Sequence, residues 1–114
     1  MAVSKIKQSG AVPAGDYTSL SSWEAAKQAN ITGLGPEEAE CYAFVDTTAI
    51  VILGWTTTAA DYIRIYGAAA ADGGEAAGIH DGRSRDVSGT GYQLSVAGSC
   101  VNIDEDYFRI EDIE

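Results

Sequence analysis

The sequence has one histidine, His80, and two cysteines, Cys41 and Cys100, with no Cys-x-x-Cys pair. A zinc centre or a histidine-based catalytic triad therefore has little to build from. Basic residues are also few. Seven Lys and Arg stand against seventeen Asp and Glu, for a formal net charge of −10 and a pI near 4.3. Nucleic-acid binding needs a basic footprint and is disfavoured, as is docking on an anionic membrane. No window approaches the ~20 apolar residues of a membrane span. The opening residues, Met1 to Gln8, lack the apolar stretch of a secretory signal peptide. The expectation is a protein made in the cytosol, whose release requires a dedicated export route or host lysis. Thiols stay reduced there, so Cys41 and Cys100 read as small buried hydrophobes, with a Cys41–Cys100 disulfide as the alternative. Asn30-Ile31-Thr32 matches a glycosylation sequon but lacks the secretory route that would make it an acceptor.

What is present suits a single domain over residues 1–114. The chain is 46% hydrophobic and 21% charged, which is globular rather than disordered and supports a modest core. Residues 2–8 read as a short strand anchored by Val3 and Ile6. A turn-rich joint from Gly10 to Gly15 follows. The clearest helix signal then covers about 21–29. Ser21 precedes Glu24 by three, as in a capping box, Trp23 to Ala29 is rich in helix formers, and Asn30 and Gly33 would end it. From Glu38 onward the period changes. Residues 39–45, 48–53, 62–66, 92–96, 100–104 and 107–113 are short β-branched and aromatic runs between Gly-, Asp-, Asn- and Thr-rich turns. Tyr62-Ile63-Arg64-Ile65-Tyr66 alternates, which gives one buried and one wet face. The fold class is mostly β with one helix near the start.

Asp61-Tyr62-Ile63-Arg64-Ile65 and Asp106-Tyr107-Phe108-Arg109-Ile110 match at four of five positions, 45 residues apart. An offset of ~20–50 residues suggests a solenoid whose units stack on one another. Two similar strands in a β-sandwich are the alternative. The stretch from Gly67 to Gly91 is the longest irregular segment, and in so small a domain such a loop is usually functional or an excursion. It holds the only histidine and two of the four arginines.

Several pieces in order resemble the opening of right-handed parallel β-helix (pectate-lyase-like) proteins of bacteriophages, environmental viruses and some bacteria. They are Gly15-Asp16-Tyr17-Thr18-Ser19-Leu20-Ser21-Ser22-Trp23-Glu24-Ala25-Ala26, Glu40-Cys41-Tyr42, Gly54-Trp55-Thr56-Thr57, Tyr62-Ile63-Arg64-Ile65, His80-Asp81-Gly82, Gly89-Thr90-Gly91-Tyr92-Gln93-Leu94 and Tyr107-Phe108-Arg109-Ile110-Glu111. The resemblance covers about residues 3–113 and speaks more to fold than to function. It implies a short β-helix whose N-terminal helix covers the open first coil, a place where unpaired strand edges need cover. Similar proteins run on through further coils, whereas this sequence stops at Glu114. From Asp104 on there are six acids and one Arg, a charge that would resist further self-stacking and favours a closed short form; a solvated tail is the plainer account.

Candidate chemistry is sparse. Asp104-Glu105-Asp106 offers oxygen ligands for a hard cation but lacks the glycine and spacing of an EF-hand loop, so an acidic turn is the preferred reading. His80, Asp81 and Asp86 could hold a metal, but Arg83 and Arg85 pairing with Asp81 and Asp86 to order a loop or meet a partner is preferred. Trp55 and Tyr92, with Tyr17, are candidate glycan contacts, set against ordinary core or turn packing. No pair of acids stands out for glycosidase work. No catalytic residue, cofactor site or metal site is assigned. The resemblance and the absent signal peptide together lead to a non-enzymatic virion protein of a bacteriophage-like virus, a capsid decoration, cement or fibre-type component. Its expected state is a homotrimer and its expected partner the major capsid protein or another virion protein, with no nucleic-acid or membrane partner. The alternative is the N-terminal cap of a carbohydrate-binding or depolymerising tailspike or adhesin, at the cell surface.

Overall fold

Alternation of apolar and polar residues governs where the strands run. In this computed structural model, which describes residues 2–12, 14–68, 92–111 and 113, the chain is mostly strand with one short helix. The order is β1 (Ala2–Ile6), α1 (Leu20–Lys27), β2 (Glu37–Cys41), β3 (Val45–Asp46), β4 (Ile50–Ile52), β5 (Ile63–Gly67), β6 (Gln93–Leu94), β7 (Val101–Ile103) and β8 (Phe108–Glu111). One four-stranded sheet has the order β1-β2-β5-β8; β3 pairs with β6, and β4 with β7. Every pair between these strands is parallel. The consecutive strands β2, β3 and β4 thus pair, in the same sequence, with β5, β6 and β7. The repeated pentapeptide falls in register: Ile63 lies opposite Phe108, Arg64 opposite Arg109 and Ile65 opposite Ile110.

The inward residues of these strands make the core. Ala39 and Cys41 of β2, Ile50 and Ile52 of β4, and Ile63 and Ile65 of β5 are all buried. Each isoleucine side chain removed from water contributes about 1.5–3 kcal/mol. The residues between them, Glu38, Glu40, Val51, Arg64 and Tyr66, point outward. In β1 the parity differs from the sequence expectation. Ile6 is buried, but Val3 is 45% exposed and Ser4 is the inward residue at 4%. Alternation from Ile6 turns Ser4 in and Val3 out, whatever their hydropathy. The run predicted over 39–45 is two strands, because Tyr42, Ala43 and Phe44 carry the chain round a corner between β2 and β3.

The helix starts earlier than predicted. Ser19, not Ser21, is the N-cap: its backbone is extended and its hydroxyl accepts from the Ser22 N–H at 3.1 Å. The helix ends at Gln28, before Asn30 and Gly33. Leu20, Trp23 and Glu24 form its buried face, and the Trp23 and Trp55 rings meet with centroids 5.7 Å apart. Glu24 does not reach back to cap the helix. It faces inward, where its Oε1 accepts from Trp55 Nε1–H at 3.1 Å and from the Leu53 N–H at 3.2 Å. The Leu20 N–H donates to Asp46 Oδ2 at 3.0 Å, so the helix is tied to both β3 and the end of β4.

The outer edge of β1 is also covered. Ile6 and Tyr17 form a parallel bridge, and the N–H groups of Asp16 and Tyr17 both donate to the Lys5 carbonyl, at 2.8 and 3.2 Å. Gly15 permits this approach, since a Cβ there would lie 2.8 Å from that same oxygen. Residues 16–17 thereby lie along β1, while α1 packs on β4 and β1. By contrast, β6, β7 and β8 each have one strand neighbour among the described residues.

Candidate functional site

Two expected contact residues lie inside the protein. Trp55 is 5% exposed and Tyr92 1%, which corrects the reading of either as a glycan platform, because a sugar cannot reach a buried ring. Trp55 is held by Glu24 through its indole, while its main-chain N–H donates to Glu105 Oε1 at 2.9 Å. Tyr92 packs edge-on against Phe44, centroids 5.2 Å apart, and donates its hydroxyl to Asp46 Oδ2. Asp46 is a buried junction, since its Oδ1 also accepts from the Thr48 N–H at 3.0 Å. Burial, then the neighbouring Cys41 and Asp46, pushes the Tyr92 phenol far above its usual range. Tyr17 is half-buried beside β1. His80, Asp81, Arg83, Arg85 and Asp86 lie outside the described residues.

Both cysteines are free thiols, Cys41 buried and Cys100 half-buried, so the disulfide alternative is not realised. Burial raises the Cys41 thiol well above its ordinary value, and Asp46 and Glu40 add to this. The acidic turn is engaged in structure. Besides Glu105 on Trp55, the Asp106 carbonyl accepts from Thr57 Oγ1–H at 2.9 Å. A recess of about 370 Å³ is lined by Ile103, Asp104, Glu105 and Asp106. Among the described residues, no three His, Cys, Asp or Glu side chains converge as metal ligands.

The outer face of the four-stranded sheet carries a connected polar surface that composition alone did not reveal. Parallel pairing lines up Glu38, Arg64 and Arg109 in one row and Lys5, Glu40, Tyr66 and Glu111 in the next. Arg64 bridges Glu111 Oε2 at 2.9 Å and Glu38 Oε1 at 3.2 Å, and lies 3.9 Å over the Tyr66 ring. The hydrogen bond to Glu111, with a smaller one to Glu38, raises its guanidinium further. Glu40 accepts from Tyr42 OH at 2.7 Å and from Tyr66 OH at 3.0 Å. Burial and that bond raise the Tyr66 phenol beyond its usual range. At the corner before β5, Asp61 accepts from the N–H groups of Gly35 and Gly33, at 2.7 and 2.9 Å, and from Thr58 Oγ1–H at 2.7 Å. These donors, the Gly33 N–H foremost, hold its carboxyl below the ordinary value.

The corner before β8 differs. Tyr107, the equivalent of Tyr62, is 52% exposed and has a left-handed backbone, φ 53°. Arg109 lies 4.4 Å over the Tyr62 ring. Ala59, Tyr62, Tyr107, Phe108 and Arg109 line a recess of about 250 Å³ between the two corners. The repeated Asp-Tyr was the sequence signal for this place, although neither tyrosine stood out as a contact residue. No family model, curated protein or solved structure matches the chain.

Proposed function

We propose that this chain is a short right-handed parallel β-helix, closed at one end by α1 and residues 16–17, and that it serves as a non-enzymatic structural protein of a bacteriophage-like virion. The observation that carries the reading is the ordered parallel pairing of β2, β3 and β4 with β5, β6 and β7. An antiparallel sandwich would join neighbouring strands by hairpins; here the pairing partners are 26 residues apart for Glu37 and Ile63 and 51 apart for Ile50 and Val101. Such repetition suits a rigid spacer or surface decoration. The interlocked charges of Glu38, Arg64 and Glu111 support a sheet face whose groups are committed to structure rather than to turnover. The expected assembly is a homotrimer seated on the major capsid protein or another virion protein, with symmetric side-by-side contacts.

Mass spectrometry of purified particles tests the role. The chain should be recovered in a fixed ratio to the major capsid protein, and its absence from intact particles would sink the reading. A second reading, the cap of a carbohydrate-binding or depolymerising tailspike or adhesin, is favoured by one observation: β6, β7 and β8 lack a second strand neighbour among the described residues, so that side would accept further coils. Recovery of this sequence only within a longer polypeptide with glycan-cleaving activity would favour it.

A further inference from the structure

We propose that the recess between the two Asp-Tyr corners binds a small carboxylate carried on a six-membered ring. The two copies of the pentapeptide build it, with Tyr62 from the first and Tyr107, Phe108 and Arg109 from the second. Its volume of about 250 Å³ lies below the ~300–1,000 Å³ of pockets that enclose drug-sized ligands. One six-membered ring fills a recess of this size.

The cation gives the ligand its charge. Arg64, which sits opposite Arg109 in the register, is spent on Glu38 and Glu111. Arg109 is exposed, stacks on Tyr62 and meets no carboxylate among the described residues. In a chain with net charge −10, an arginine with no carboxylate partner among the described residues stands out. A guanidinium lying on an aromatic face leaves its N–H edge open, and that fork matches a carboxylate through two parallel hydrogen bonds. A phosphate dianion fits less well, because Arg109 is the one cation that lines the recess among the described residues, and a single guanidinium balances one negative charge rather than two.

The aromatic rim gives the ligand its flat face. Tyr107 holds a left-handed conformation, φ 53°, that few residues other than glycine and asparagine adopt. Two hydrogen bonds fix the corner: the Ile63 N–H donates to the Tyr107 carbonyl at 3.1 Å and Thr57 Oγ1–H to the Asp106 carbonyl at 2.9 Å. The turn itself has no need of a large ring, yet one is held there half in water. Strained, exposed residues concentrate at binding sites, and a tyrosine face beside an arginine is a platform for a flat, anionic partner. A sugar acid and an aromatic acid share this chemistry.

Calorimetric titration of the full chain, with NMR of the Tyr107 and Arg109 signals, tests the site. The probes are D-glucuronate and benzoate, each against a neutral ring, D-glucose and benzyl alcohol. At least one acid should bind and shift both residues, at least about tenfold more tightly than its neutral counterpart, as expected for a charge-assisted pair. Binding by glucuronate alone assigns a sugar acid; binding by benzoate alone assigns an aromatic acid. Arg109→Gln and Tyr107→Asn should each weaken binding about tenfold. Asparagine tolerates the left-handed backbone, so the latter variant keeps its turn, and an unchanged unfolding midpoint confirms that both variants fold. The proposal is overturned if neither acid binds, if neutral rings bind as well as acids, or if folded Arg109→Gln binds like the parent. The outcome is independent of the virion reading, since particle composition neither requires nor excludes a ring carboxylate here.

Discussion

At the scale of single residues, two buried carboxylates among the described residues, Glu24 and Asp46, each accept from more than one donor. Glu24 is 8% exposed and receives the Trp55 indole and the Leu53 N–H. Glu24→Ala would leave the buried Trp55 indole N–H unpaired, costing about 1–3 kcal/mol, and would release the part-buried Leu53 N–H. Glu24→Gln keeps an acceptor and should recover most of that loss. Urea unfolding at unchanged m-value measures both variants. Asp61 gives a pH-dependent counterpart. Its folded pKa is depressed, so its contribution is present above the unfolded-state value, about 3.9, and is lost as pH falls through the lower folded value. Asp61→Asn should therefore lower the melting temperature near neutrality, and the gap to the parent should close on acidification below the carboxylate range. Circular dichroism melts across that range check the sign. These roles were only half legible. Ser21 and Glu24 have the spacing of a capping box, but spacing does not say which way a side chain turns, and here burial beside Trp55 turned Glu24 inward.

At the scale of elements, the N-terminal cover depends on local backbone chemistry. Ser19→Ala removes the acceptor for the Ser22 N–H and should cost about 1 kcal/mol, read as a lower urea midpoint. Gly15→Ala would drive a Cβ to 2.8 Å from the Lys5 carbonyl. The strip at Asp16 and Tyr17 should then detach from β1, with faster amide exchange at both residues and little change at Ile65. The helix was legible because Leu20 and Trp23 recur one turn apart among strong helix formers. β6, Gln93–Leu94, fell inside the run expected over 92–96, but β3 was not set apart, since a strand of two residues, Val45–Asp46, is shorter than any period that could reveal it. Nor could hydropathy order β1, where a small inward Ser4 and an exposed Val3 reverse the usual pattern.

At the scale of the whole molecule, the 45-residue echo was the most informative sequence feature. Read as either stacked units or two similar strands of a sandwich, its two copies pair in parallel register as β5 and β8, because parallel neighbours place equal positions side by side and reward like with like in the core. The recess at Tyr62 and Tyr107 follows from the same repetition, yet aromaticity alone pointed instead to Trp55 and Tyr92, whose rings the core claims. In the proposed β-helix, parallel ladders join each coil to the next. Interstrand NOE contacts in a uniformly labelled sample read that pairing residue by residue. The prediction is that Ile65 contacts Ile110, Ile52 contacts Ile103 and Asp46 contacts Leu94, all with parallel register and all within one chain. Antiparallel contacts, or the loss of the β3–β6 and β4–β7 ladders while β5–β8 persists, would contradict it.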